Sequence, residues 1–280
     1  MDLARADVLA RLERFYDAVP RDGARTEEHG ALVLFVRDGA GWPFYARPRP
    51  DATEPPTLAD VTAVRARQRE LGLPEAFEWV HEHQPDLLAV ARSAGLGVLE
   101  APLMLLEPER LPEPGTFSDV PVRVLDPGDP GFATDIALRR AVAAVGFANG
   151  GTARGDAGPA ERDAALAQLD MAALEEEATR VADGRRVSVL AELSEEGAVA
   201  SGMAMRVDDV AEIAGVATLP SARQRGLGAA VTATLARELL AAGTGLIFLS
   251  AGSEDIARVY LRVGFRRVGT ACVAEPAAVI

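Results

Sequence analysis

From residue 119 onwards, apolar residues switch between the three-to-four-residue spacing of helices and the strict alternation of strands. The pattern predicts a strand, two helices, three strands, a helix, a strand, a helix and a last strand. Pro121 lies inside the first strand and predicts a sheet edge, because proline cannot donate a ladder hydrogen bond. The predicted ranges in chain order are 120–124, 132–145, 160–183, 186–192, 198–207, 210–219, 226–242, 246–250, 253–263 and 266–273.

The first hundred residues carry a related pattern. A helix, a strand, a helix and a strand occur there in the same order as between residues 226 and 273. A proline-rich segment at 107–115 has few apolar residues and cannot continue a helix, so it indicates a linker. We therefore predict two domains, 1–112 and 119–280, of a mixed α+β class. The ranges predicted in the first domain are 31–36, 41–46, 58–71, 77–80, 85–94 and 98–106.

Composition narrows the class of protein. The chain has 280 residues and 49% apolar content, which is more core than one compact domain usually holds. A formal charge of −13 disfavours a nucleic-acid partner. The sequence has no apolar run of the roughly 18 residues that a membrane span needs, and its first residues lack the signal-peptide pattern. We expect a cytoplasmic protein with no membrane partner, and the lack of lysine suggests a GC-rich bacterial genome.

Residues that bind metals are sparse. Cys272 is the only cysteine, which excludes an internal disulfide, and we expect it to be a small buried side chain. His81 and His83 have no third ligand nearby in the sequence and are interpreted as residues of an exposed loop. Trp42 and Trp79 are interpreted as core or interface aromatics. We expect no metal.

A strand-to-helix junction at 216–229 carries the predicted chemistry. It contains two arginines, Arg223 and Arg225, and two glycines, Gly226 and Gly228. Free N–H groups at a helix N-terminus bind anions, and glycine lets a phosphate approach the backbone closely. A P-loop is excluded because the chain has no lysine, and a dinucleotide fingerprint needs a third small residue where this chain has a valine. The junction predicts a pyrophosphate cradle.

The sequence Arg223-x-x-Gly226-x-Gly228 resembles the Q/R-x-x-G-x-G/A motif of the GNAT acyltransferases. A second resemblance lies in the strand 246–250 and the segment 257–265. Together they cover about residues 119–275 and imply the GNAT fold, a mostly antiparallel sheet flanked by helices. The resemblance also implies acetyl-CoA as the acyl donor.

The amino-terminal domain looks like a smaller, degenerate copy of this fold. Its predicted helix has residues 62–68 (Thr-Ala-Val-Arg-Ala-Arg-Gln) in place of the glycines. We therefore expect no CoA binding in this half.

The resemblance implies two catalytic residues. Tyr260 corresponds to the tyrosine that stands near the thioester sulfur and protonates the departing thiolate. Glu212 is the first candidate for the base that takes the amine proton, with Asp208, Asp209 or a water chain as alternatives. Backbone N–H groups near Val216 are expected to stabilise the oxyanion.

The cofactor site is also implied by the resemblance. In GNAT proteins the fourth and fifth strands separate, and the pantetheine arm lies in the slot between them. Ser253 stands where many members have asparagine, and we expect it to cap the last helix and contact the cofactor. The implied cofactor-binding residues are Val216, Ala217, Thr218, Arg223, Gln224, Arg225, Gly226, Leu227, Gly228, Ala229 and Ser253.

The implied activity is N-acetyl transfer to a primary amine by direct attack in a ternary complex. The amine acceptor, a small molecule or a peptide, is not identified, because the loop at 146–158 where we expect it is nearly featureless and rich in glycine. The alternative is a non-catalytic acyl-CoA-binding or regulatory module. The sequence leaves a homodimer open.

Overall fold

A computed structural model describes residues 3–37, 39 and 43–277. The chain contains eight helices and eleven strands within these residues. In chain order they are α1 (Leu3–Arg21), β1 (Ala24–His29), β2 (Leu32–Arg37), β3 (Arg47–Pro48), α2 (Leu58–Glu70), β4 (Phe77–Val80), α3 (Asp86–Ser93), β5 (Leu96–Leu106), β6 (Val122–Val124), α4 (Phe132–Ala148), α5 (Pro159–Leu166), α6 (Met171–Ala182), β7 (Arg186–Leu193), β8 (Gly197–Val207), β9 (Val210–Thr218), α7 (Leu227–Ala241), β10 (Leu246–Ser250), α8 (Glu254–Val263) and β11 (Phe265–Pro276).

The chain divides into two compact units. Unit 1 consists of Met1–Leu103 together with Val268–Ile280, and unit 2 consists of Met104–Arg267. The predicted division at 112 and 119 instead gave the last strand to the carboxy-terminal domain. The predicted and observed divisions differ because the first three residues of β11 belong to unit 2 and the rest of the strand belongs to unit 1.

The sheet of unit 2 is mostly antiparallel. Its strands follow the order β10-β9-β8-β7-β6, and only β9 and β10 are parallel neighbours. Short turns join β7 to β8 and β8 to β9, the second through Asp208 with a φ of 52°. β6 lies at the end of this order, which agrees with the edge position predicted from Pro121.

Helices α4 and α7 pack on opposite faces of this sheet. On one face the Ser201 hydroxyl of β8 donates to the Arg139 carbonyl of α4 at 3.2 Å. On the other face, a Cβ added to the next residue, Gly202, would stand 2.6 Å from Val231 of α7. The glycine therefore allows a close approach, and the buried Leu and Val side chains of α7 form much of the core of unit 2.

Unit 1 has a smaller core. Its strands form the order β4-β11-β5 and a separate three-stranded sheet, β1-β2-β3. Cys272 of β11 pairs directly with Trp79 of antiparallel β4, and both side chains are fully buried. The predictions of a buried cysteine and a core Trp79 are confirmed, whereas Trp42 lies outside the described residues.

The turn after β4 contains the two histidines. The His81 N–H donates to the Thr270 carbonyl at 2.9 Å, and Glu82 accepts from the Thr270 N–H at 2.9 Å. His83 is exposed, whereas His81 is half-buried. The turn therefore has a structural role in joining β4 to β11, and it is less exposed than the sequence predicted.

Several elements differ from the prediction. The helix predicted over 160–183 is two helices, because Asp170 caps α6 by accepting from the Ala172 N–H at 2.9 Å. Helix α1 and strand β1 were not predicted. The strand predicted at 41–46 begins outside the described residues, and its last residue forms a single bridge to Phe77. In the described part of the chain, no helix is both long enough and apolar enough to cross a bilayer.

Candidate functional site

The parallel strands β9 and β10 of unit 2 separate along their length. Three residue pairs join them, and the last is Glu212 opposite Phe248. Within the described residues no further ladder pair connects the two strands, although β9 continues to Thr218. Beyond Glu212 the backbone of β9 therefore has no ladder partner in β10, and we call the region beside this unpaired stretch the slot.

A β-bulge redirects β9 beside this slot. Ser201 of β8 pairs with Ala217, whereas Met203 pairs with Ala214, so two residues of β9 oppose one of β8. Gly215 lies in the bulge with a φ of 61°, a conformation that favours glycine. The bulge bends the strand where its backbone is no longer paired with β10.

Helix α7 begins at the open end of β9. Gly226 is its N-cap with a φ of 76°, no side chain caps the helix, and its first turn contains no acidic residue. Gln224 also has a positive φ of 63°. The cap and first turn of α7 thus place no carboxylate of their own at its first N–H groups, which is a property of anion-binding helix termini.

The two glycines of the junction have different roles. A Cβ at Gly226 would stand 1.9 Å from the carbonyl oxygen of Phe117, so the linker backbone approaches Gly226 closely. A Cβ at Gly228 would meet only the Thr218 hydroxyl, at 3.9 Å. Gly226 therefore satisfies a packing requirement within the protein, and Gly228 is the glycine that leaves space at the end of the slot.

Arg223 supports the junction from inside the protein. Its buried guanidinium donates to the carbonyls of Gly146 at 3.0 Å, Ala153 at 3.1 Å and Thr218 at 3.3 Å, and also to the Asn149 carbonyl. These carbonyls include those at the end of α4, where a cation is favourable. Burial lowers the pKa of Arg223. Most N–H donors of Arg223 are therefore used within the protein, and its contact with a phosphate stays a prediction.

Three further hydrogen bonds hold the loop that follows α4. The Gly155 N–H donates to the Pro220 carbonyl at 3.2 Å, and the Ser221 N–H donates to the Ala157 carbonyl at 3.0 Å. Arg154 donates to the Ser221 carbonyl at 3.0 Å. The loop expected to receive the acceptor is therefore attached to the turn that precedes α7.

Tyr260 lies on α8 with its ring buried against Phe265. The side chain is 8% exposed, and its hydroxyl makes no hydrogen bond to any residue that the structure describes. Burial raises the pKa of Tyr260 to about 12. The phenol is therefore protonated at neutral pH and has a donor that no described protein group uses.

Glu212 lies at the point where β9 and β10 separate. It pairs across the sheet with Met205, so the two side chains lie on the same face, which is the face covered by α4. Gly215 is three residues further along β9, about 10 Å in an extended strand. Asp208 and Asp209 lie in the turn at the opposite end of β9, about 20 Å from the bulge by the same measure.

Comparison with known proteins identifies this arrangement. The family described as FR47-like protein matches residues 192–273, which include the bulge, the junction and Tyr260. A GCN5-related N-acetyltransferase from Kribbella flavida is similar over 96% of each chain, with 25% identity and a TM-score of 0.67. The family match and this structural similarity support a protein of the GNAT superfamily.

Two further structures share the fold at lower identity. A GCN5-related N-acetyltransferase-like protein from Streptococcus suis 89/1591 is 12% identical over 96% of this chain and 98% of its own, with a TM-score of 0.53. A tandem GNAT protein from the clavulanic acid biosynthesis pathway is 14% identical over 89% of this chain and 79% of its own, with a TM-score of 0.51. No curated protein sequence matches this chain significantly.

The implied cofactor residues of unit 2 lie along one path. Val216, Ala217 and Thr218 form the open end of β9, and residues 224–229 form the turn and the start of α7. Leu227 and Ala229 have buried side chains, so only their backbone groups are available to a ligand. Gln224 and Arg225 are exposed, and Arg225 has a weak ion pair with Glu196 at 3.8 Å.

Ser253 caps α8, as its position predicted. Its hydroxyl accepts from the Ile256 N–H at 3.3 Å, and the side chain is exposed. Its contact with the cofactor stays a prediction.

The corresponding helix of unit 1 has a different N-terminus. The Thr57 side chain accepts from the Asp60 N–H, and the Asp60 carboxylate accepts from the Thr57 N–H at 2.8 Å. This capping box uses the free N–H groups of α2 and adds a negative charge. The contrast with the uncapped α7 is consistent with the prediction that this half does not bind CoA.

Two features of the site were not predicted from the sequence. Gly215 interrupts the apolar alternation of β9, which is a recognised sign of a bulge. Phe117 contacts Gly226 from the linker, and no local pattern indicates a contact between residues so distant in the chain.

Proposed function

We propose that unit 2 transfers the acetyl group of acetyl-CoA to a primary amine. One arrangement carries the proposal: β9 and β10 separate after Glu212, and the uncapped α7 begins where the open stretch of β9 ends. A slot with free backbone groups suits the amide-containing pantetheine arm. A helix N-terminus with an open Gly228 suits the pyrophosphate.

The residues of the chain have separate binding roles. Val216, Ala217 and Thr218 offer backbone donors and acceptors to the arm, and the N–H groups of residues 224–229 bind the pyrophosphate. Arg225 is exposed and adds positive charge there, whereas Arg223 positions the turn from inside. Bound acetyl-CoA supplies the activated thioester.

Two side chains handle protons in the proposed reaction. The amine nitrogen attacks the carbonyl carbon, the carbon–sulfur bond breaks, and Glu212 accepts the amine proton. Because Glu212 lies about 10 Å along β9 from the bulge, we include a water chain between them. N–H groups near Val216 stabilise the oxyanion.

Tyr260 acts on the leaving sulfur. Full proton transfer from a phenol with a pKa of about 12 to a thiolate of pKa about 8.5 is uphill by about 5 kcal/mol. We therefore propose that Tyr260 donates a hydrogen bond to the developing thiolate, which stabilises its charge without complete transfer.

Calorimetric titration with acetyl-CoA tests the donor site. Gly228→Asp places a negative charge in the cradle, and the open space there accepts the side chain. An acid in the first helical turn stabilises a helix by about 0.3–1 kcal/mol, so the variant should fold at least as well as wild type. We expect its affinity for acetyl-CoA to fall at least tenfold.

Gly228→Ala is the matched control. It adds a Cβ without charge, and we expect affinity within threefold of wild type. Absence of wild-type binding, or equal binding by Gly228→Asp, would contradict the donor site. Binding without CoA release in the presence of any amine would instead favour a non-catalytic acyl-CoA-binding module.

A further inference from the structure

Unit 2 contains a buried polar cluster that the donor site does not use. The cluster consists of Arg139 on α4, Glu177 on α6, and Arg186 and Ser188 on β7. Arg139 is 4% exposed, Glu177 is 2% exposed, and Ser188 is fully buried. Charged side chains are rarely this buried unless they are paired.

Pairing within the cluster is incomplete. Glu177 forms a close ion pair with Arg186 through one carboxylate oxygen. Its other oxygen lies 3.4 Å from Arg139 Nη2 without a hydrogen bond. Among the described residues, Arg139 Nε, Glu177 Oε1 and the Ser188 hydroxyl have no hydrogen-bond partner. Buried polar atoms without partners are uncommon in proteins and call for an explanation.

Arg139 is the side chain of this cluster with an unused donor. Arg139 and Arg186 both lie beside the Glu177 carboxylate, but the Arg139 Nε has no hydrogen-bond partner among the described residues. Burial, followed by the nearby Arg140, lowers the pKa of Arg139 to about 10, which still leaves it charged at neutral pH. A buried positive charge with unused donors is unfavourable unless an anion or water completes its contacts.

The cluster adjoins the proposed reaction centre. Arg139 Nη1 lies 3.8 Å from the position that a Cβ of Gly215 would take, at the bulge of β9. Ser188 pairs with Met203, Arg186 pairs with Met205, and Met205 pairs with Glu212. Cross-strand partners share a face of the sheet, so the cluster and Glu212 lie on the same face, beneath α4.

We propose that Arg139 binds the carboxylate of the acceptor, and that the acceptor is an amino acid or a similar amine that carries a carboxylate. The planar guanidinium has two parallel donors that match a carboxylate, and the unpaired Ser188 hydroxyl offers a further donor on the same face. The amine of such a ligand then lies on the face that contains Glu212. This inference rests on the proposed transferase function and specifies its acceptor.

Calorimetry on the CoA-loaded full-length protein tests the acceptor directly. The probes are the twenty common amino acids, β-alanine and 4-aminobutyrate, each compared with its carboxamide. We expect at least one acid to bind at least tenfold more tightly than its amide, and acetyl-CoA to be consumed with the same preference. Arg139→Gln should remove that preference and leave the affinity for acetyl-CoA unchanged.

Two further variants separate recognition from folding. Arg139→Lys keeps the charge but loses the paired donors, so it should retain a smaller preference for the acid. Arg258→Gln removes an exposed arginine of α8 whose ion pair is with Asp255, and it should behave as wild type. Thermal unfolding of each variant checks that it is folded.

The outcomes distinguish this inference from the proposed function. Equal binding of acids and amides, or an equal loss of both in Arg139→Gln, would overturn the carboxylate site, since the cluster would then be structural and completed by water. Preferential binding of an acid without any turnover would support the site and contradict the transferase proposal.

Discussion

At the scale of single residues, the hydroxyl of Tyr260 is the clearest test of the chemistry. It makes no hydrogen bond to the described residues, so Tyr260→Phe should change the free energy of unfolding by less than about 0.5 kcal/mol. If the hydroxyl stabilises the leaving thiolate, kcat should fall at least tenfold, with the affinity for acetyl-CoA nearly unchanged. Steady-state kinetics and calorimetry measure the two effects.

The pH dependence of Tyr260 provides an independent check. Burial raises its pKa from 10.0 to about 12. The folded protein therefore holds a proton that the unfolded chain loses, and the stability from the neutral phenol, present below pH 10, is lost as pH rises towards 12. This alkaline loss should be smaller in Tyr260→Phe. An unchanged kcat in the variant would contradict the assigned role.

Residue identity alone predicted part of this site. The sequence correctly predicted that a helix begins at Gly226 and that Tyr260 lies on the last helix. It did not distinguish the two glycines, because the contact with the Phe117 carbonyl depends on where the linker runs. The contacts of Arg223 with the carbonyls at the end of α4 have no sequence signal either, because an arginine beside an anion-binding turn can point to a ligand or to the protein.

At the scale of elements, Arg223 joins α4, the following loop and β9. Arg223→Gln leaves several buried carbonyls without a donor, and each lost charged hydrogen bond contributes about 1.5–3 kcal/mol. Because the effects are not additive, we expect unfolding to become easier by about 2–4 kcal/mol in all. Hydrogen exchange of residues 146–158 should accelerate more than exchange in β7 and β8.

Arg154→Gln is the matched control for this prediction. Arg154 is exposed and donates one hydrogen bond, to the Ser221 carbonyl. Its loss should change stability by less than about 1 kcal/mol. Equal protection of the loop in wild type and Arg223→Gln would show that other contacts order this segment.

Elements with a clear pattern of apolar residues were predicted well from the sequence. Strands 77–80 and 246–250 match β4 and β10, because short apolar runs bounded by turns leave little choice of structure. The helix predicted over 160–183 is interrupted because the Asp170 cap outweighs continued helical spacing. The separation of β9 from β10 has no local signal, and only the resemblance to GNAT proteins implied it.

At the scale of the whole molecule, β11 explains why the predicted boundary between domains differs from the observed units. The helix-strand-helix-strand order seen twice in the chain indicated two domains in succession. Such an order does not specify which strands pair. Residues 268–276 belong to unit 1, where Ala271, Cys272, Val273 and Ala274 pair with β4.

Truncation after Arg267 tests this division of the chain. It removes the partner of β4 and exposes Trp79, which packs in the same apolar cluster as Cys272 and Ala274. The free energy lost with several fully buried side chains and a strand ladder exceeds the free energy of unfolding expected for a unit of about 100 residues. We therefore expect residues 3–103 to become sensitive to limited proteolysis. Mass spectrometry of the fragments measures this effect.

A chain that ends after Pro276 is the matched control. It retains every pair of β4 with β11 and should resist protease as the full-length chain does. Equal resistance of the chain that ends at Arg267 would mean that the first hundred residues fold without the last strand, as the boundary at 112 and 119 implies.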